Sequence, residues 1–566
     1  MPLPLSTTIL LFAAFAAMVV FRKVSVTWSS QVEVTWSILA LVAAAIAAVV
    51  EMKTNSAAHG DVNETFAWCC DQLAVAEQFI VLIYGFFTAI TLFESYHLEQ
   101  RQRRTDCGYF LFLISGIWMI AQANDLLIVG LSLEIISLAQ CGLQQSKSSS
   151  YDVEFGNKPV EPQIDPFGRL ALVLVWLGIA WLAVTTSTTN YDTLQSVLVS
   201  SYQSTTERYY VGAPSKLVLL AVGSVMLGLF SRSGLLPLGN YAGLVSRESS
   251  RSGFLLQQLP NQLVCSIALV RLLGHVFHGM GDSLATLILA LVLINSTFVL
   301  IRSISCLSAN ARSMSQWLST LWLLQSVWIA IGMMILTVEL THAELRAGVF
   351  ANHYESLSIV LLMQLVTTVT GISIDALTSH YIHYERKSEF IEDFKGLWYV
   401  APCGSILFVI AFGSLVGLPL TAGFWSRWMT LLAGQNLHLK HDSSIFSPNM
   451  GLRMALLGGM IATLPNISVL ARLIRELFLE SPLARPYRPI GNISLVTGGV
   501  ATGIILILGT VPSLALKPVS EIRPPIFLRP EAPKSGSGTM PVGMNSSHLL
   551  DHTNQAAAMQ PRESQD

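Results

Sequence analysis

Three charged side chains stand inside apolar stretches of this sequence. Glu134 lies in the run from Asn124 to Leu138, Arg232 in Ser231-Arg232-Ser233-Gly234-Leu235-Leu236-Pro237, and Arg427 in Gly417-Leu418-Pro419-Leu420-Thr421-Ala422-Gly423-Phe424-Trp425-Ser426-Arg427-Trp428. An ionised group at the centre of a bilayer costs about 3 kcal/mol or more, so each must face a protein-lined or watered interior. A carboxylate there can take up and release a proton. An arginine remains protonated in proteins, which suits it to setting a field or moving between carboxylate partners rather than carrying a proton itself. Pro237 and Pro419 each free backbone carbonyls within a span, which is tolerated where the break lines a polar interior. Arg232, five residues before Pro237, is placed to meet such carbonyls or a carboxylate on a neighbouring helix, with Glu134 as the expected partner. A buried pair of that kind serves packing specificity as readily as transport. Arg427 has the same two readings, and a third as an arginine near the end of a span whose guanidinium reaches the interface.

Other candidates carry less. His275 and His278 with Asp282 nearby could suit a metal, but two imidazoles at a helix end favour interfacial hydrogen bonding. Asp375, His380 and His383, at the inner end of a span, form either a proton entry point or, the favoured reading, a solvated helix end. The cysteines, including the adjacent Cys69-Cys70, have neither metal-ligand nor disulfide-framework spacing. A phosphate loop, an iron–sulfur cysteine cluster and a haem-attachment motif are all missing, so any associated electron transfer belongs to other chains and no cofactor is expected on this one. A formal net charge of -2 gives no reason to expect nucleic acid as a partner.

The elements that must position these groups follow from hydropathy. With 52% hydrophobic and 12% charged residues and a mean hydropathy of +0.56, the 566-residue chain is expected to be a polytopic all-α membrane bundle in contact with lipid. Apolar runs fall at 4–21, 34–51, 77–95, 108–122, 125–142, 168–187, 214–245, 254–275, 283–301, 315–338, 355–378, 399–433, 452–473 and 491–513, which is about fourteen helices. The runs at 214–245 and 399–433 exceed one straight crossing, and Pro237 and Pro419 fall inside them, which predicts two discontinuous helices. These breaks lie about five helices apart and each has an arginine near its proline, as in a pair of related five-helix halves. Residues 1–513 are expected to form the transmembrane domain, and 514–566, rich in Pro, Ser, Gly, Asn and Gln, a tail too poor in apolar groups to order. The stretch 143–167 reads as a linker. Arg22-Lys23 follows the first run rather than preceding it, which favours a retained helix over a cleaved signal. Placing Arg22, Lys23, Arg101, Arg103, Arg104, Arg386, Lys387, Lys395, Arg472 and Arg475 on the inner side puts both termini outside, in what is expected to be a bacterial inner membrane.

Taken together, these motifs resemble the antiporter-like membrane subunits of respiratory complex I, the NADH-quinone oxidoreductase, and most closely its subunit N, over roughly residues 75–510. Asn124 to Leu138 matches the family's helix with a central glutamate after Asn-Asp-Leu-Leu, with Glu134 at the glutamate. Arg232 stands where the family's broken seventh helix has a lysine five residues before proline. Pro237 matches, and Leu238 and Gly239 replace the aromatic and histidine that follow. Arg271 lies at the family's distance from that proline for an arginine ending the eighth helix. Gly417, Pro419, Ala422, Gly423 and Phe424 fit the broken twelfth helix, with Leu420 at its second proline and Arg427 at its lysine. Gln262, near Pro260, falls at the central lysine of the eighth helix. The resemblance implies a membrane-arm subunit whose partners are other subunits of the complex, with NADH and quinone used by the complex and not bound by this chain. It also implies that Glu134 receives the coupling signal, Arg232 modulates its proton affinity and Arg427 shapes an outward half-channel. Because both lysines have become arginine and the middle one is neutral, fold and complex membership are implied more firmly than pumping by this subunit. A cation/proton antiporter or hydrogenase-linked subunit, and a non-pumping structural relative, remain as alternatives.

Overall fold

The computed structural model describes residues 3–23, 30–58, 68, 71–98, 106–155, 166–206, 216–235, 254–277, 280–307, 314–345, 355–381, 394–436, 448–481 and 492–514. Among them the regular structure is helical: α1 Leu5–Lys23, α2 Ser30–Ala58, α3 Gln72–Leu98, α4 Asp106–Ala121, α5 Leu126–Phe155, α6 Pro166–Thr186, α7 Tyr191–Thr206, α8 Lys216–Arg232, α9 Leu259–Arg271, α10 Gly281–Leu307, α11 Met314–Leu345, α12 Glu355–Tyr381, α13 Pro402–Val416, α14 Ala422–Asn436, α15 Pro448–Phe478 and α16 Asn492–Thr510. Ten of the spans they carry are long and apolar enough to cross a membrane, and four shorter apolar helices, Leu5–Val20, Cys107–Ala121, Leu217–Arg232 and Pro402–Val416, account for the remainder of the fourteen expected segments. The protein is a multi-pass membrane protein with an all-helical bundle.

Burial separates a centre from a periphery. The apolar window of α11 is 100% buried, that of α12 94% and that around α9 83%, against 33% for α2 and α6. The helices that are buried on every side are those next to Arg232, Gln262 and Arg427. The peripheral helices expose leucine, valine and phenylalanine, as a lipid-facing surface does.

Three departures from the sequence reading have local causes. The stretch 188–210, expected as a loop, carries α7. Tyr191, Leu194 and Leu198, buried along one face, supply an amphipathic stripe, and Asn190 caps its start by accepting from the Asp192 N–H at 3.1 Å. Helix α5 continues to Phe155, so the linker expected from 143 is helical that far, since extending a formed helix costs little. The eighth crossing is not one continuous α-helix: α9 is flanked by π-helical turns, Phe254–Gln258 and Leu272–Val276. Pro260 removes the N–H that would have bonded Leu256, and Gln140 on α5 donates instead to the Leu256 and Gln257 carbonyls, at 3.1 Å each. Pro237, His278, His383, the Cys69-Cys70 pair and the tail beyond Leu514 lie outside the described residues, while Asp282 falls in the first turn of α10 and His380 in the last turn of α12.

Candidate functional site

Both interruptions are built by glycine turns. Helix α8 stops at Arg232. Gly234 follows with φ +105°, and the turn is closed by Gly234 N–H to Ser231 O at 3.1 Å and Leu235 N–H to Phe230 O at 3.1 Å. The break thus begins before Pro237. The second lies between α13 and α14. Gly417 takes φ +88°, its N–H bonds Ser414 O at 3.2 Å, and Leu418 N–H bonds Gly413 O at 2.8 Å. These paired bonds end the helix in a Schellman turn, in which a left-handed glycine is preferred. Leu420, at the family's second proline, has φ +70°, a left-handed conformation that proline's ring forbids. The re-entry is tight: a Cβ on Gly423 would fall on the Ser414 carbonyl.

The Schellman turn leaves the Leu415 and Val416 carbonyls of α13 without helical partners, and Arg427, ten positions after Gly417, reaches back to both. Its Nη2 donates to Leu415 O and its Nη1 to Val416 O. The guanidinium is buried, lies 5.6 Å from the Trp328 ring centroid and is 3.5 Å from Gln325 Oε1. Among the described residues no carboxylate lies within ion-pair distance of it. Arg427 is therefore a C-terminal cap held by the negative end of a half-helix, and the interfacial, snorkelling reading does not describe it.

Arg232 is also buried. It donates to Ser137 Oγ at 2.8 Å and approaches Leu133 O at 3.5 Å, both on α5. Glu134 lies between those two contacts in sequence, but no ion pair within 4.0 Å joins it to Arg232. Its Oε1 accepts from Trp176 Nε1 on α6 at 3.1 Å. Glu134 is half-buried, on the face of α5 that exposes Leu131 and Leu138. The structure thus brings Arg232 and Glu134 to one helical turn without making them a direct salt bridge.

Between the arginines runs a line of neutral polar groups. Ser326 donates to Ser233 O at 3.1 Å, and Gln262 Nε2 donates to Ser326 Oγ at 3.0 Å. Gln262 then borders a cavity of about 10 Å³ shared with Ser266, Gln364, Thr367 and Thr368, space for about one water. On its far side Gln325 Nε2 donates to Thr367 Oγ1 at 2.8 Å, and Gln325 faces Arg427. Sequence reasoning found the two ends and Gln262 but missed Ser326, Gln325, Gln364 and Thr367, which are uncharged residues in apolar helices. Their signal, legible only afterwards, is the density of Ser, Thr and Gln in α11 and α12.

The third arginine, Arg271, ends α9. Its Nη2 is 2.9 Å from Asp71 Oδ1, its Nε 3.2 Å from Glu77 Oε2, and its Nη1 donates to Ala123 O at 3.3 Å. Glu77 and Asp71 were not singled out in the sequence, because the third apolar run was taken to begin at 77. Helix α3 in fact starts at Gln72 and Glu77 is fully buried. His275, one turn beyond Arg271, meets Asp192 of α7 at 2.9 Å. Asp192 also accepts from Asn124 Nδ2 at 3.0 Å, and the His275 hydrogen bond above all holds its carboxyl below the usual range. Asp375 is buried in α12 rather than solvated at a helix end.

No protein-family model matches the sequence. Curated relatives are NADH-quinone oxidoreductase subunit N of Blochmanniella floridana, 22% identical over 65% of this chain and 69% of the relative, and subunit N 2 of Roseiflexus castenholzii, 24% identical over 77% and 80%. Among solved structures, a chain of respiratory complex I from Thermus thermophilus superposes with a TM-score of 0.63 at 16% identity, covering 91% of this chain and 99% of that one. A chain of the Mrp complex from Dietzia sp. DQ12-45-1b superposes with a TM-score of 0.65 at 13% identity, covering 92% and 97%. A chain of an archaeal membrane-bound sulfane sulfur reductase does so with a TM-score of 0.64 at 14% identity, covering 91% and 96%. The chain is thus similar in sequence to NADH-quinone oxidoreductase subunit N and shares the fold of chains in respiratory complex I and the Mrp complex.

Proposed function

We propose that this chain is a membrane-arm subunit of a proton-translocating NADH-quinone oxidoreductase of a bacterial inner membrane, with both termini outside. Quinone and NADH are used by other subunits, and this chain transmits their reaction as a shift of charge along its interior. The observation that carries the reading is the polar line from Ser137, one turn from Glu134 on α5, through Arg232, Ser326, Gln262, Thr367 and Gln325 to Arg427. Glu134, beside a surface face of α5, receives the signal from a neighbouring subunit. Arg232 and Arg427 contribute fixed positive charge at the two breaks.

One feature favours a second reading, in which the subunit holds the membrane arm together without pumping. The side chains between the arginines are Ser, Thr and Gln, none of which can exchange a proton with a neighbour by titrating, and Arg427 is engaged in capping a helix. Purifying the native complex tests membership: co-purification with quinone-reducing subunits is expected, and isolation with antiporter subunits alone would remove the proposal. Proton uptake by vesicles with and without Glu134→Gln then separates pumping from scaffolding.

A further inference from the structure

The Asp71–Arg271–Glu77 cluster lies away from the line just described. Along α9, Arg271 is about 13 Å from Gln262, at the face of the bundle where α3, α5 and α7 begin. Its charges do not balance: two carboxyl groups meet one guanidinium, and the ion pairs of the described residues bring no second cation to either. A net negative charge buried in this way carries a heavy desolvation cost unless a positive charge joins it.

The two carboxyls are unlike. Asp71 Oδ1 accepts from Arg271 at 2.9 Å and, as cap of α3, from the Ala74 N–H at 2.7 Å, so an anion there also meets the positive end of a helix. Glu77 lies about 9 Å further along α3, has 0% exposure and makes a single contact with Arg271 through Oε2. Each carboxyl also has one buried oxygen without a partner, Asp71 Oδ2 and Glu77 Oε1, so the difference lies in the two bonds that Asp71 Oδ1 accepts against one at Glu77. The Tyr191 hydroxyl, likewise buried and unpartnered, lies within electrostatic reach of Arg271, Asp125 and Glu77. Burial raises the Tyr191 phenol, so it stays a donor. From Tyr191 the route rises to the surface: its ring is 5.9 Å from that of His275, and His275 pairs with Asp192, whose side chain is 53% exposed. The groups facing Glu77 are therefore Arg271, Asp71 and Tyr191, with Asp125 and the His275–Asp192 pair further out. On the packed helix α12, Asp375 faces Tyr84, two turns on along α3.

We infer that Glu77 is a proton-binding site separate from the Glu134–Arg427 line, with Asp71 as the anion paired to Arg271 and with Tyr191 and the His275–Asp192 pair as its connection to the aqueous face. The proton is held as a carboxylic acid, and its release leaves a carboxylate beside Arg271.

The test uses the full chain in its native complex. Glu77→Gln keeps the volume and hydrogen bonding of the acid without a titratable proton, whereas Asp71→Asn removes the counter-ion. The first is expected to retain the subunit within about twofold of wild type in membranes, and the second to leave Glu77 as the remaining carboxyl beside Arg271, which favours its ionised form at neutral pH. The infrared difference between wild type and Glu77→Gln should contain a protonated-carboxyl C=O band at neutral pH that fades on alkaline titration. Tyr191→Phe should slow deuterium exchange of that band. Loss of assembly in Glu77→Gln, an undiminished Glu77 band at neutral pH in Asp71→Asn, or no band assignable to Glu77 in the wild type would each overturn the assignment. An unchanged exchange rate in Tyr191→Phe would remove the route.

Discussion

Replacing Arg427 by lysine isolates the fork of the guanidinium while keeping its charge. In the native break the Schellman turn satisfies the Gly413 and Ser414 carbonyls, and Arg427 caps those of Leu415 and Val416 with two separate nitrogens. A lysine presents one nitrogen without the planar spread, so the two-nitrogen geometry of the cap is lost, and one of the two carbonyls is expected to lose its partner in a buried site. The ammonium is also the more strongly hydrated cation, so its burial costs no less. An orphaned buried carbonyl costs about 1–3 kcal/mol. Opening of the break should therefore become more favourable by a factor of about 5 to 150, since local openings are governed by their own free energies. Hydrogen–deuterium exchange of a peptide spanning Val416–Thr421, in the purified complex, reads this directly, because the Gly417 and Leu418 N–H groups are the donors that close the turn. Peptides from α11 serve as the internal reference. A change of less than twofold at Gly417 and Leu418 would show that Arg427 does not hold the break, and the capping role would fall.

Three further outcomes follow from the same geometry. Glu134→Gln should lower coupled proton uptake more than assembly, because the amide oxygen can still accept from Trp176 Nε1 while the charge is gone; unaltered coupling with unaltered assembly would make Glu134 structural. Gly423→Ala should abolish assembly, because its Cβ meets a backbone carbonyl, whereas Gly503→Ala, with nothing within 4 Å, should be neutral or stabilising by about 0.5–1 kcal/mol; comparable yields of the two would refute the tight re-entry. Asp192 is held below its ordinary carboxyl range, so its contribution is present above the unfolded value and is lost only as pH falls through the lower, folded one. Amide exchange of α7 should thus be unchanged from pH 7 down to about 5 and rise only in stronger acid, below the usual carboxylate range; loosening that begins near pH 6 would contradict the His275–Asp192 anchor.

The helical fold and its apolar segments, ten of them long enough to cross a membrane among the described residues, are legible in the sequence because each depends on an apolar run, a signal that survives in any tertiary context. The ends of elements were less so. The third apolar run, 77–95, puts Glu77 at the edge of a span, yet Asp71 and the N–H of Ala74 start the helix earlier and carry Glu77 into the interior. Arg271 carried the missing information: a buried guanidinium demands carboxylates, and only tertiary structure says which. The Glu134–Arg232 pairing was inferred from opposite charge at matching depth. Geometry gives Arg232 to Ser137 and Glu134 to Trp176, a choice between acceptors on one helix turn that sequence separation does not encode.

The arginines at the two breaks have a consequence for how charge can move. Lysine at such a site can surrender its proton when desolvated, so a line with lysines at its breaks can alternate between charged and neutral states. Here both breaks hold permanent cations, and at Arg427 the cation is tied to the carbonyls that the break itself exposes. Neutralising that site would undo the helix end, so transport and architecture are no longer separable there. Gln262, Ser326 and Thr367 can relay orientation of hydrogen bonds between the arginines, but a proton crossing this stretch would need water in the cavity that Gln262 and Thr367 border. Beside the line, Glu134 can change charge, and away from it so can Glu77. Glu134 lies by the exposed face of α5 and Glu77 by the proposed route past α7, so coupling between them would pass through α5, α9 and Arg271 as a shift in packing and field rather than as a proton handed along the axis.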